Sequence, residues 1–294
     1  MSAAGEASRG GGEGRPPALH PLLYDRLVRR ALEEDLGLAG DLTTDGIVPA
    51  DARASGRIVA RQAGCVAGLP VAAHVFSVVD PALRVELRAA DGDRVETGAV
   101  LAEVSGPARA LLTGERVALN LLGRLSGVAT ATRGLVDAVA GTGARVVCTR
   151  KTTPGLRALE KHAVRAGGGS NHRFGLDDAV LIKDNHLAIA GGVAEAVRRA
   201  RAAVGHLVKI EVEADTLEQL AEALACPIDA VLLDNFELPR LREAVATVAG
   251  RVVTEASGGI TSRTAAAIAA TGVDLLSVGW ITHSAPALDV ALDL

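Results

Sequence analysis

Aromatic side chains are scarce in this 294-residue chain: one Trp, one Tyr and three Phe, together 2%. That excludes a sandwich core built around a buried Trp, and a base-stacking platform for nucleic acid. Cysteine is scarce as well. Cys65, Cys148 and Cys226 are odd in number and far apart, so they supply neither a disulfide framework nor a zinc pattern. Positive charge is not in excess, since 31 basic residues face 35 acidic ones. A protein that coats nucleic acid or an anionic membrane needs the opposite balance. No apolar run approaches the roughly 18 residues of a membrane span, and the opening MSAAGEASRGGGEGRPP lacks the apolar stretch of a signal peptide. The expectation is a cytoplasmic protein with no nucleic-acid or membrane partner, preceded by a disordered tail over residues 1–17. Lysine is the last scarcity. Only Lys151, Lys161, Lys183 and Lys209 occur, all within one stretch of the chain, so each one raises the question of its purpose.

What is present is ample apolar material, 49% of the residues, in a length that suits one large or two ordinary domains. Leu22, Leu23, Leu27, Val28, Ala31 and Leu32 recur at helical spacing, which predicts a helix over 20–36 ended by Gly37. Strand-like runs at 57–61 and 83–87 flank a helical stretch at 70–79, and 90–106 reads as a turn and a strand. Residues 109–140 read as helix, with Gly114, Gly123, Gly127 and Gly134 as weak points. Beyond Gly141 the rhythm changes to short apolar runs alternating with amphipathic helices. The runs lie at 144–151, 178–184, 206–213, 228–235, 251–259 and 273–279, with a weaker one near 163–167. Fully apolar strands between helices imply a parallel sheet covered on both faces. An α/β barrel with fewer than eight strands and an open doubly wound sheet both satisfy the pattern.

Polar residues stand at the end of nearly every run, where a barrel would bring them to one mouth. Arg150, Lys151, His172, Arg173 and Lys183 form a cationic set suited to phosphates or carboxylates. Arg157, Lys161 and Arg165 read as solvated surface. Glu211 and Glu213 share a strand face, with Glu213 nearer the mouth, and Asp234 ends the next strand. Glu213 and Asp234 can hold sugar hydroxyls or Mg²⁺, or form a salt bridge with Lys183 or Arg150. Ser257-Gly258-Gly259, opening a helix at Thr261, and Ser277-Val278-Gly279 on the following strand read as a paired phosphate site. Cys148 lies inside an apolar run and reads as a buried thiol. DGDRVETG resembles the turn of a biotinyl or lipoyl carrier but lacks the lysine such a tip needs. That turn is all that supports a carrier or scaffold. A barrel aldolase using Lys183 as a Schiff base is a further alternative.

ERVALNLLGRLSGVAT (115–130), TRKTTPGLRALEK (149–161), GGGSNHR (167–173), LIKDNH (181–186), EVE (211–213), LLDNF (232–236), SGGI (257–260) and VGWITHS (278–284) together closely resemble the quinolinate phosphoribosyltransferases. The resemblance runs from about residue 19 to the end. It implies an incomplete, about seven-stranded α/β barrel joined to an N-terminal α+β open-faced sandwich. The sandwich would span 18–118 and the barrel 119–279, and 280–294 would return to the first domain. It also implies phosphoribosyl transfer from phosphoribosyl pyrophosphate to quinolinate with decarboxylation, using Mg²⁺ and no organic cofactor. By position, Arg150, His172 and Arg173 would line the quinolinate pocket. Lys151, Lys183, Glu213 and Asp234 would act at the reacting centre, the two acids near ribose and metal. Ser257, Gly258, Gly259, Ser277, Val278 and Gly279 would bind phosphate. Arg116 would reach quinolinate from a partner subunit, so the unit would be at least a homodimer. Trp280 departs from the small residue expected there. Within the fold, the alternative is a pyrophosphorylase-like protein with another acceptor, as in molybdenum-associated relatives.

Overall fold

The computed structural model describes residues 16–294, so all but the last two residues of the expected tail lie outside the described residues. The first unit contains α1 (Asp25–Leu36), α2 (Leu42–Ile47), β1 (Arg53–Ala60), β2 (Gly64–Cys65), α3 (Leu69–Val79), β3 (Arg84–Leu87), β4 (Arg94–Val95), β5 (Val100–Pro107) and the long α4 (Ala108–Ala138). The helix expected from residue 20 begins as a single 3₁₀ turn, Pro21–Leu23, because Tyr24 breaks the helical geometry before α1. β3, β5 and β1 form an antiparallel sheet with β12 (Val290–Asp293), the last strand of the chain. Phe76 of α3 and Leu111 and Leu122 of α4 are among the fully buried side chains of the core.

The second unit runs β6 (Arg145–Val147), α5 (Arg157–Ala166), β7 (Val180–Ile182), α6 (Asp184–Ala190), α7 (Val193–Ala203), β8 (Ile210–Ala214), α8 (Leu217–Leu224), β9 (Ala230–Asp234), α9 (Leu238–Val248), β10 (Val253–Ser257), α10 (Ala265–Ala269), β11 (Leu275–Ser277) and α11 (Trp280–His283). Its six parallel strands follow the order β6-β11-β10-β9-β8-β7. The weak run near 163–167 is not a strand. Leu159, Ala163 and Val164 bury one face of α5, a helical spacing that overrides the local apolar run. A single parallel bridge, Val147 with Ser170, lies beside β6 where a seventh strand would stand.

The glycines of α4 are close-packing positions rather than weak points, except Gly134, which meets nothing. A Cβ at Gly127 would fall 2.0 Å from the Pro286 carbonyl oxygen. Glycine there lets the returning C-terminal segment lie directly on the helix.

Candidate active site

The C-terminal ends of the parallel strands carry an open basin of polar side chains. β8 alternates buried Val212 with Glu211 and Glu213, and both carboxylates face the same side. Glu213 lies 3.5 Å from the Lys183 ammonium across the β7–β8 pair, which is the ion pair expected as one alternative. Carboxylate oxygens of Glu213, Asp215 and Asp234 lie within 4.8 Å of one another. Burial holds the Glu213 carboxyl above its ordinary pKa, opposed by Lys183 and reinforced by Asp234. Asp215 is raised too, by burial and then by the charges of Asp234 and Asp184. Three crowded carboxylates of this kind favour a cation. Asp215 was absent from the sequence reading because it lies one residue past its strand.

A second acidic group lies within the barrel. His172 Nε2 is 2.8 Å from Glu211 and 3.5 Å from Glu255. Burial works against the imidazolium, but the Glu211 hydrogen bond and the charges of Glu255 and Glu211 outweigh it and raise its pKa. Glu255 is 1% exposed, and burial beside Glu211 pushes its carboxyl up to about 7. Glu211 therefore orients His172, a larger part than its distance from the mouth suggested. Glu255 was missed altogether, although an acid inside the apolar run 251–259 was a usable signal.

The cations gather beside this group. Arg150 is half-buried and its Nε has no hydrogen-bond partner. Burial and the nearby Arg150 charge lower the Arg173 pKa. Arg173 Nη1 donates to the Ala179 carbonyl at 3.0 Å. The loop after β6 is held by a buried network that the sequence reading also passed over. Glu160, fully buried, accepts from Arg124 Nη2 at 2.8 Å and from the Thr153 amide at 3.0 Å. Arg124 in turn donates to the carbonyls of Ala285 and Thr282. Lys151 emerges from that loop and lies against Gly279, where a Cβ would come 3.0 Å from its Cδ.

The two glycine loops sit at the ends of β10 and β11, but without useful helix dipoles. Residues 262–264 form a turn, and α10 starts only at Ala265 with five residues. α11 has four residues. What remains is glycine backbone: Gly258 has φ +92°, and a Cβ there would strike Asn235 Oδ1 at 2.1 Å. Trp280 packs between the loops, and its indole N–H donates to the Ile260 carbonyl at 2.9 Å.

Other sites depart from expectation. Lys161 is completely buried rather than solvated, because its ammonium finds three acceptors inside the fold. Arg165 is exposed, and Arg157 is half-buried against Thr152 and the Phe174 carbonyl. Cys148 is fully buried, as its apolar run implied. Arg116 is exposed on α4 and touches only Glu115, with no bond to the basin. A cavity of about 1090 Å³ lies elsewhere, lined by Arg133, Arg145, Arg165 and Gly168. The convergent charged groups mark the basin instead.

The family model described as quinolinate phosphoribosyl transferase, N-terminal domain, matches residues 41–126, and that of the C-terminal domain matches 128–293. The chain is 49% identical over 272 residues to the nicotinate-nucleotide pyrophosphorylase (carboxylating) of Mycobacterium leprae, covering 91% of this chain and 95% of that protein. It is 39% identical over 300 residues to quinolinate phosphoribosyltransferase (decarboxylating) 1b of Nicotiana tabacum, covering 95% and 85%. The crystal structure of NadC from Streptococcus pyogenes superposes with a TM-score of 0.92 at 40% identity, covering 95% of this chain and 98% of that one.

Proposed function

The chain belongs to the quinolinate phosphoribosyltransferase family, and on that premise we propose how its own residues divide the reaction. The enzyme transfers the phosphoribosyl group of phosphoribosyl pyrophosphate to the ring nitrogen of quinolinate. One carboxylate leaves as CO₂, giving nicotinate mononucleotide and pyrophosphate. Arg150, His172 and Arg173 take the dicarboxylate. The observation that carries this is the crowding of Arg150 and Arg173, with the buried Arg150 Nε unpartnered. Adjacent like charges, only partly offset by Asp178 and Glu211, favour a doubly anionic ligand.

Lys151, against Gly279, and the backbone of Ser257–Gly259 and Ser277–Gly279 hold phosphate groups. Lys183 and Glu213, joined across the mouth, face the sugar. Glu213 and Asp234, with Asp215 beside them, fit Mg²⁺ directly or through water, because the cluster is acidic and partly open. When bound, the ion would neutralise the departing pyrophosphate. The carboxylates stabilise positive charge as it develops on the anomeric carbon, and the lysines balance the phosphates. Once alkylated, the ring nitrogen is cationic and stabilises the carbanion left by the neighbouring carboxylate, so no organic cofactor is needed. The exposed Arg116, with no role in its own basin, serves a partner subunit in a homodimer. Three free cysteines suit a reducing cytoplasm.

The test is incubation of the purified chain with quinolinate, phosphoribosyl pyrophosphate and Mg²⁺, assayed for CO₂ and the mononucleotide. Nicotinate, which leaves cations unpaired, should fall short in kcat/KM by up to about 10⁴-fold. Phthalate should compete without reacting. Equal use of nicotinate, or indifference to phthalate, would assign the arginines to another anion.

A further inference from the structure

Lys161 is the one buried lysine, and the reaction as described leaves it unused. It lies on α5 with a relative exposure of 0%. Its ammonium donates to the backbone carbonyls of His172 and Arg173, each at 3.0 Å, and to Cys148 Sγ at 3.1 Å. The Cys148 thiol spends its own hydrogen on Asn171 Oδ1 at 3.3 Å. Three acceptors around one nitrogen require three hydrogens, so the group is a charged ammonium. No carboxylate lies within ion-pair distance of it among the described residues, although Asp178 feels its charge, and the Phe174 ring centroid lies 5.7 Å away.

The segment it grips, residues 171–174, belongs to no helix or strand. Its carbonyls therefore lack the regular partners that secondary structure provides, and a side-chain donor must satisfy them. The two gripped residues are the ones assigned to the dicarboxylate. We propose that Lys161 is a positioning residue for that pocket. It pins the backbone of His172 and Arg173, and it places a positive charge behind them. The inference rests on the assignment of His172 and Arg173 to quinolinate.

The experiment uses the full-length enzyme carrying Lys161→Met, which keeps the bulk and removes the donors and the charge. Two part-buried carbonyls left unsatisfied should raise the KM for quinolinate, and the Kd for phthalate measured by calorimetry, by about 10–100-fold. The KM for phosphoribosyl pyrophosphate should stay within about twofold, a split that general destabilisation would not produce. Phthalate should lose more affinity than benzoate, because the lost charge acts on the second carboxylate. A folded Lys161→Met enzyme with unchanged quinolinate KM, or with both substrates weakened alike, overturns the proposal. If that variant does not fold, Lys161→Gln decides. It keeps an amide donor and removes the charge and one reach of the grip, and an unchanged quinolinate KM would again overturn the proposal. His172→Ala and Arg173→Ala separate the two levels. If neither raises the quinolinate KM, the pocket assignment fails. If both do and Lys161→Met does not, only the role of Lys161 fails.

Discussion

Lys151 and Lys183 stand exposed at the rim of the basin, so on the proposed function they should act on the bound ligand and not in folding. Lys151→Ala and Lys183→Ala should each fold with an unchanged melting temperature and lose about 10²-fold or more in kcat. Steady-state turnover near that of the parent enzyme would remove either residue from the reacting centre. Glu255 makes the opposite kind of statement. Its pKa in the fold, about 7, lies above the ordinary value of 4.5, so the folded state favours the protonated carboxyl. Stability from that preference is fully present below the ordinary value and is lost as pH rises through 7. The raised His172 acts with the same sign. Glu255→Gln removes the carboxylate term, so the variant should gain stability relative to the parent as pH rises from 5 to 8. Denaturant midpoints across that range would show it, and a pH-independent difference would contradict it.

Within elements, α4 separates propensity from packing. Gly127 and Gly134 look alike in the sequence, as two glycines in one helix. A Cβ at Gly127 would meet the Pro286 carbonyl at 2.0 Å, whereas at Gly134 it would meet nothing within 4 Å. Gly127→Ala should therefore destabilise by about 1–3 kcal/mol. Gly134→Ala should stabilise by about 0.5–1 kcal/mol, as alanine is the better helix former. Thermal melts showing the same sign for both would refute this account of the α4–C-terminal contact. The strands illustrate the same limit. Their apolar runs were legible, but the run near 163–167 joined α5, because packing of Leu159, Ala163 and Val164 decides the period that local composition leaves ambiguous.

At the scale of the whole molecule, the last strand closes the sheet begun by β1, pairing Arg57 with Asp293. The strand that follows the barrel units is thereby tied into the sheet of the first unit. Among the described residues Arg116 hydrogen-bonds only to Glu115, so on the proposed function assembly should complete the site. Homodimers of Arg116→Ala and of Lys151→Ala should both be nearly inactive. Reassembled heterodimers should recover one intact site of the two, with wild-type Arg116 from one chain and Lys151 from the other. Verified heterodimers without activity would place Arg116 in folding or in its own subunit.

The sequence by itself determined the parallel strands, the convergence of polar residues at their ends and the family, because hydrophobic period and strand-end chemistry are local properties. It also singled out Arg150, Lys151, His172, Arg173, Lys183, Glu213 and Asp234 as candidates. Tertiary structure alone decided which charges are buried and which neighbours they have. Lys161 and Arg165 are both basic residues on α5, yet one is sealed beneath the 171–174 segment and the other faces solvent. Glu255 joins His172 only because β10 and β8 curve around a common interior. Burial and the proximity of residues distant in the chain follow from the tertiary fold, and no local pattern encodes them.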